Sequence, residues 1–188
     1  MSLKELTKQV HSDAERTEFA KLLMSGDISK KQYAMYLLQM LEVYIPLENY
    51  TAFDGHFKNL PGLSRVPGIL QDFRELGFKP KVDLPVLKST VEYRNYIESL
   101  GQDDNNRCKL LAHLYVRHMG DLYGGQMIKK KVPGSGKFYE FQNRDTLIKN
   151  IREKLTDDLG EEANVAFQHA INIMRDLNEW CMEHADTV

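Results

Sequence analysis

Apolar residues recur every three or four positions along most of the chain, and the strict alternation that marks half-buried strands is nearly absent. Ser2-Leu3-Lys4-Glu5 has the form of a capping box, in which a hydroxyl and a carboxylate satisfy the first free N–H groups of a helix; it predicts a helix running to about Met24. Gly26-Asp27 breaks it. Ser29-Lys30-Lys31-Gln32 is a second box, opening a long apolar helix towards Phe53 with a kink expected near Pro46. Asp54-Gly55, Pro61-Gly62 and Pro67-Gly68 then mark a loop-rich stretch. Shorter helices are predicted over residues 68–76 and 86–100, closed by Gly77 and Gly101. A longer one covers 103–131, ended by Pro133-Gly134-Ser135-Gly136, and two more cover 144–159 and 161–183, separated by Gly160. No repeat, low-complexity run or linker divides the chain. The expectation is one all-α, multi-helix bundle over residues 1–188.

Composition narrows this picture. At 188 residues the chain is long enough to bury a pocket as well as a core. A formal net charge of −2 argues against a dedicated nucleic-acid binder, which would carry a strong basic excess. The two cysteines, Cys108 and Cys181, lack CxxC spacing and point away from a zinc or disulfide framework. The N-terminal residues are polar and charged rather than signal-like, and the most apolar stretch, 34–47, is interrupted by Gln39 and Glu42. These features lead us to expect a soluble, cytoplasmic protein with no membrane partner.

The anomaly is the segment from Leu110 to Lys131. It reads as helix on both sides, yet Gly120, Gly124 and Gly125 lie inside it. An interior glycine costs about 1 kcal/mol relative to alanine, so three together need a reason. At about 100° per residue, Gly120, Gly124, Arg117 and Asp121 share one arc, with Leu110 and Ile128 in the same sector, which predicts a buried face. A face lacking side chains lets something flat approach the backbone, with a carboxylate and a guanidinium beside it. The plainer alternative is close helix packing with an ordinary Arg117–Asp121 ion pair.

Among six histidines, His11 has the most suggestive neighbours. Glu15, one turn on, can accept from the ring Nδ1–H and leave Nε2 oriented as a metal ligand. Lys4 and Lys8 occupy the same stripe and suit anionic groups at a ligand's edge. A solvated surface helix explains the same residues equally well. His113 and His118 flank the glycine helix, while His56, His169 and His184 lack obvious partners, and no zinc motif, nucleophile motif or phosphate loop is present.

Taken together, Val10-His11-Ser12-Asp13-Ala14-Glu15 with Phe19, and Gly120-Asp121-Leu122-Tyr123-Gly124-Gly125-Gln126, resemble the proximal and distal helices of the haem oxygenase family. The resemblance can be followed over nearly the whole chain and is strongest at residues 4–25 and 110–131. It implies haem b held, as substrate and cofactor, between the first helix and the glycine-bearing helix, with His11 as the axial iron ligand and Glu15 as its partner. It implies that Gly120, Gly124 and Gly125 let the distal helix lie close over the haem face and flex, and that Asp121, with Arg117 and Tyr44, anchors a water network supplying protons. Lys4, Lys8, Tyr115 and Lys149 fall at propionate-facing positions. The basic residue expected late in that helix aligns with Glu153, with Arg152 beside it, which puts the clamp in question. The implied reaction uses O2 and electrons from ferredoxin or a flavoprotein reductase and yields biliverdin (the IXα isomer), CO and Fe(II), with a bilin reductase downstream. Lys129, Lys130 and Lys131, with Lys149 and Arg152, suggest a patch that steers an acidic electron donor. The competing expectation is a non-catalytic haem-binding or trafficking protein, which would have no use for Asp121 among the glycines.

Overall fold

The computed structural model describes residues 3–184. Its first 23 residues form three helical segments where the sequence predicts one: α1 (Leu3–Leu6), α2 (Lys8–Glu15) and α3 (Glu18–Ser25). Two threonines account for the breaks. Thr7 turns its hydroxyl back onto the Leu3 carbonyl at 2.9 Å, and Thr17 takes an extended backbone and caps α3 by accepting from the Ala20 N–H. Ser2, the first member of the predicted box, lies outside the described residues.

The second box is present as read. Ser29 accepts from the Gln32 N–H, and the Gln32 side chain accepts from the Ser29 N–H, opening α4 (Lys30–Phe53). Its 24 residues run through Pro46 as one helix, and most are buried, including Gln39, Glu42 and Glu48. A helix apolar on nearly all sides belongs at the centre of a bundle. Around it stand α5 (Val66–Leu76), α6 (Lys88–Gln102), α7 (Leu110–Tyr123), α8 (Gly125–Ile128), α9 (Arg144–Arg152) and α10 (Gly160–Glu183). Gly101 does not close α6 but stays inside it, because a Cβ there would lie 2.4 Å from the Tyr50 ring.

Two predicted helices are shorter in the structure. The segment expected over 103–131 becomes α-helical only at Leu110, after a 3-10 turn, Arg107–Lys109, because Asp103 organises a turn of its own, accepting from the Asn105 N–H at 2.9 Å and the Asn106 amide at 2.6 Å. The helix expected over 144–159 ends at Arg152, and a separate 3-10 turn, Asp157–Leu159, leads into α10.

Three apolar clusters hold these elements, and α7 contributes to all of them. Leu110 joins the main core around α4, while Leu111, Ala112 and Val116 pack with Leu3, Ala163, Ala166 and Phe167. Leu114, Met119 and Leu122 pack with Leu60, Leu63, Leu147 and Ile151. Val10 and Ala14 of α2 rest on the second of these clusters, which ties the first helical region to α7 through α10. Among the described residues no helix is long and apolar enough to cross a membrane.

Candidate functional site

The face of α7 predicted to be buried divides in two. Arg117 and Asp121 are buried at 8% and 6% exposure, but Gly120 and Gly124 are exposed. A Cβ built on Gly120 would meet nothing within 4 Å, and one on Gly124 only the Gly120 carbonyl oxygen at 3.3 Å. Gly125 serves a different purpose. It is buried, and a Cβ there would lie 2.4 Å from the Tyr139 ring, so its missing side chain permits packing. The glycines therefore form an open two-residue stripe and one inward packing contact, and the expectation of a wholly buried glycine face is corrected.

Behind the stripe lies a polar cluster built by α7 and α4. Tyr44 donates its hydroxyl proton to the Asp121 carboxylate. Burial pushes the Asp121 carboxyl above the usual carboxylate range, against the opposing pull of the Arg117 charge and the Tyr44 hydrogen bond. Burial and the Asp121 charge likewise raise Tyr44 well above an ordinary phenol, which keeps it the donor. Arg117 does not form the close ion pair with Asp121 that the plainer alternative requires. One of its terminal nitrogens lies against the Met40 sulfur, its guanidinium sits 5.6 Å from the Tyr44 ring centre, and its Nε is buried without a protein partner. An orphaned buried donor of this kind is commonly satisfied by an ordered water or a ligand.

The cluster is held from behind. His118, fully buried on α7, pairs through Nε2 with Glu48 Oε1 at 3.2 Å and packs edge-on against Tyr44. Burial would raise Glu48, but hydrogen bonds from His118, Ser64 and the Arg65 N–H outweigh it, and its carboxyl falls below the usual range. One turn up α7, His113 contacts the Tyr93 hydroxyl through Nδ1 at 2.9 Å and Glu162 Oε1 through Nε2 at 3.0 Å. Desolvation lowers His113, so its ring is neutral. Because a carboxylate only accepts, the proton sits on Nε2 and Nδ1 accepts from Tyr93.

The other predicted residues occupy a looser setting. The His11 side chain is 52% exposed, with its ring edge on Phe167 at 5.5 Å. Its Nδ1 lies 3.8 Å from Glu15 Oε2, beyond hydrogen-bond length. Lys4 on α1 and Lys8 on α2 are exposed, and Tyr115 is half-buried between two apolar clusters. Lys149 lies 3.9 Å from Glu153, whereas Arg152 turns away to donate to the Tyr123 hydroxyl at 2.7 Å. Of the expected basic patch, Lys129 is engaged by Glu140 at 2.9 Å, while Lys130 and Lys131 are exposed.

Sequence reasoning missed Tyr36 and Tyr139, whose hydroxyls meet at 3.0 Å inside the core, and Tyr33, which donates to Asp72 at 3.1 Å. A signal existed. Tyr33, Tyr36, Met40 and Tyr44 follow the i, i+3, i+7, i+11 pattern and fall on one stripe of α4.

Fold and site together define an all-helical protein with an open backbone stripe backed by a buried acid, phenol and guanidinium. A family model described as "Heme oxygenase" matches residues 1–176. Curated relatives include heme oxygenase 2 of Macaca fascicularis, 28% identical over 94% of this chain, and the heme oxygenase of Porphyra purpurea, 26% identical over 94% of this chain and 85% of its own length. The chain spans 64% of the length of the macaque protein. Among solved structures, heme oxygenase from Leptospira interrogans superposes with a TM-score of 0.79 at 28% identity, over 93% of this chain and 98% of its own. Heme oxygenase-1 from Synechocystis, solved in complex with heme, gives 0.83 at 23% identity over 98% and 94%. The chain belongs to the heme oxygenase family.

Proposed function

We propose that this chain is a biliverdin-producing haem oxygenase, with haem b lying between His11 on α2 and the Gly120–Gly124 stripe of α7. The observation that carries the reading is the open stripe set directly against the buried Asp121–Tyr44–Arg117 cluster. A structural helix contact would fill the space beside Gly120, and a simple binding pocket would have no use for a buried acid at that edge. The residues fit a haem. A Cβ on Gly120 would have no neighbour within 4 Å, the Arg117 Nε is an orphaned donor, and the exposed His11 presents a neutral-imidazole type of ligand. The relative from Synechocystis was itself solved with heme.

Bound haem supplies the oxygen-activating iron and the ring that is opened to biliverdin IXα, CO and Fe(II). The protein's part is to bind, orient and manage protons. His11 Nε2 would hold the iron, with Glu15 Oε2 3.8 Å from Nδ1 to orient the ring. Gly120 and Gly124 would let backbone, not side chain, meet the ring. Asp121, with its raised pKa, can give and retake a proton, and Tyr44 fixes its carboxylate. Arg117 Nε is positioned to hold a water beside them. Lys4, Lys8, Tyr115 and Lys149 are available to the acidic edge of the ring.

In this proposal the reaction takes place in the cytoplasm, and electrons come from ferredoxin or a flavoprotein reductase through an acidic surface. Lys130, Lys131 and Arg152 are the exposed cations best placed to steer it. Reduction by such a donor slows as ionic strength rises.

The deciding experiment adds haemin to the purified protein, then a reductant in air. A Soret band that gives way to biliverdin absorption supports the reading. A stable Soret band with no biliverdin identifies a haem-binding module, and no Soret band at all removes haem from the site.

A further inference from the structure

The open stripe of α7 is not lined by glycine alone. Tyr123, 44% exposed, and Met127, 61% exposed, stand on it beside Gly120 and Gly124. At about 100° per residue, Tyr123 lies about 60° and Met127 about 20° round the helix from Gly120, so all four share one face. An exposed tyrosine ordinarily samples several rotamers. This one is braced. Arg152 donates to its hydroxyl at 2.7 Å, and the guanidinium carbons of Arg144 and Arg152 lie 5.4 Å and 5.8 Å from its ring centre. Arg144 is itself tied to the Leu122 carbonyl at 2.5 Å. Arg144 opens α9 and Arg152 ends it, so one short helix grips the ring from both of its ends.

The core has no need of this arrangement, since the ring is exposed and exposed cation–π contacts are worth only about 0.5–1 kcal/mol. Its consequence is a rigid ring at the rim of a stripe otherwise lined by glycine backbone and the flexible Met127 side chain. Lys4, Lys8, Tyr115 and Lys149 are available only to the acidic edge of a flat, nearly fourfold ring, and glycine backbone by itself does not separate one in-plane rotation of that ring from the next. A fixed aromatic ring beside it does, by colliding with some rotations and packing against others.

We infer that Tyr123 is a specificity-determining wall of the haem site, held by Arg144 and Arg152 as positioning residues, and that it selects the in-plane rotation of the tetrapyrrole. The edge presented to the Asp121 cluster, and so the biliverdin isomer formed, follows from that rotation. This inference rests on the haem reading above.

The test loads wild-type protein with haemin, adds cyanide to the ferric complex, and counts the hyperfine-shifted haem methyl resonances by proton NMR, a readout of orientation independent of turnover. Wild type gives one dominant set. In Tyr123→Ala a second set grows at least about tenfold relative to the major one, the shift that ~1.4 kcal/mol of lost discrimination produces. The biliverdin isomer ratio moves with it. Arg152→Gln shifts both in the same direction by less, and Tyr123→Phe, which keeps the ring, stays nearest to wild type. Identical methyl patterns and isomer ratios in wild type and Tyr123→Ala overturn the inference. Failure of wild type to form a Soret complex would instead overturn the haem reading beneath it, so the two failures are distinguishable.

Discussion

The two regions that carry the candidate site residues, α2 and α7, differ in how far they are organised without a ligand. On α2, His11 and Glu15 are 52% and 70% exposed and lie 3.8 Å apart, and the His11 ring sits edge-on to Phe167. On α7, Arg117, Asp121, His113 and His118 are buried and packed among groups from α4, α6 and α10. In the proposed function, the ligand side is loose and takes its final geometry from what binds, whereas the side proposed to handle protons is fixed before anything binds. That division suits the two tasks. A metal–nitrogen bond is strong enough to order a half-exposed histidine, but guiding protons needs groups whose positions cost nothing to arrange at the moment of reaction.

The largest expected effect breaks the loose side. His11→Ala abolishes turnover and changes the ferric haem spectrum, and added imidazole partly restores both. Because the side chain is half-exposed, unfolding free energy changes by less than about 0.5 kcal/mol. Spectra with and without imidazole, alongside a melt, check this, and an unchanged spectrum would move the ligand elsewhere.

Asp121→Ala breaks the fixed side. Biliverdin formation falls by at least about 100-fold, the scale of a lost positioned acid, while haem affinity and the His11 signature persist. Asp121→Asn separates holding water from accepting a proton. Equal product yields from wild type and Asp121→Ala would reduce the acid to a structural role.

His113→Phe tests what makes α7 rigid. It leaves the Tyr93 hydroxyl without its acceptor and removes one of the two donors to Glu162 Oε1, Tyr96 at 2.7 Å being the other, and costs about 1–3 kcal/mol of stability. The pH dependence carries a definite sign. The His113 pKa is lowered from 6.5 in the folded state, so its contribution is complete above about pH 6.5 and is lost as pH falls through the lowered value. Glu162, lowered from 4.5, adds the same sense of dependence at more acid pH. Melts between pH 7 and 5 should show stability falling in wild type and a flatter profile in His113→Phe.

The smallest and sharpest contrast lies within the glycines. Gly125→Ala forces a methyl into the Tyr139 ring and destabilises by about 1–3 kcal/mol. Gly120→Ala meets open space and stabilises the ligand-free protein by about 0.5–1 kcal/mol through helix propensity, while its methyl intrudes on the site and lowers haem turnover. Melts of both variants that shift in the same direction would contradict the division between packing glycine and site glycine.

Much of this was legible in the residues, because some signals are local. The Ser29 box, the Gly26 break and the central apolar helix follow from hydrogen-bond capping and from hydrophobic periodicity, which depend on neighbours three or four residues away. The family resemblance in residues 110–131 rests on a contiguous string, and the family match bears it out. The threonine breaks at Thr7 and Thr17 were also local, yet competed with an equally plausible continuous helix, and the side-chain hydrogen bonds won.

What only the tertiary structure decided concerns partners far apart in the chain. Periodicity put Gly120 on a buried arc, but exposure depends on which neighbour covers that arc, and none of the described residues does. Gly125 needed Tyr139, 14 residues on, to show that its role is packing. Asp121 found Tyr44 across 77 positions, Arg152 found Tyr123 instead of a free position at the site's edge, and Tyr36 found Tyr139 across 103. The sequence by itself determined the helices, the candidate ligand and the acid among the glycines, because backbone propensity and helical spacing are encoded within a few turns. The three-dimensional packing decided which donor meets which acceptor, because a buried polar group must be satisfied by whatever the fold brings within 3 Å, however distant in the chain.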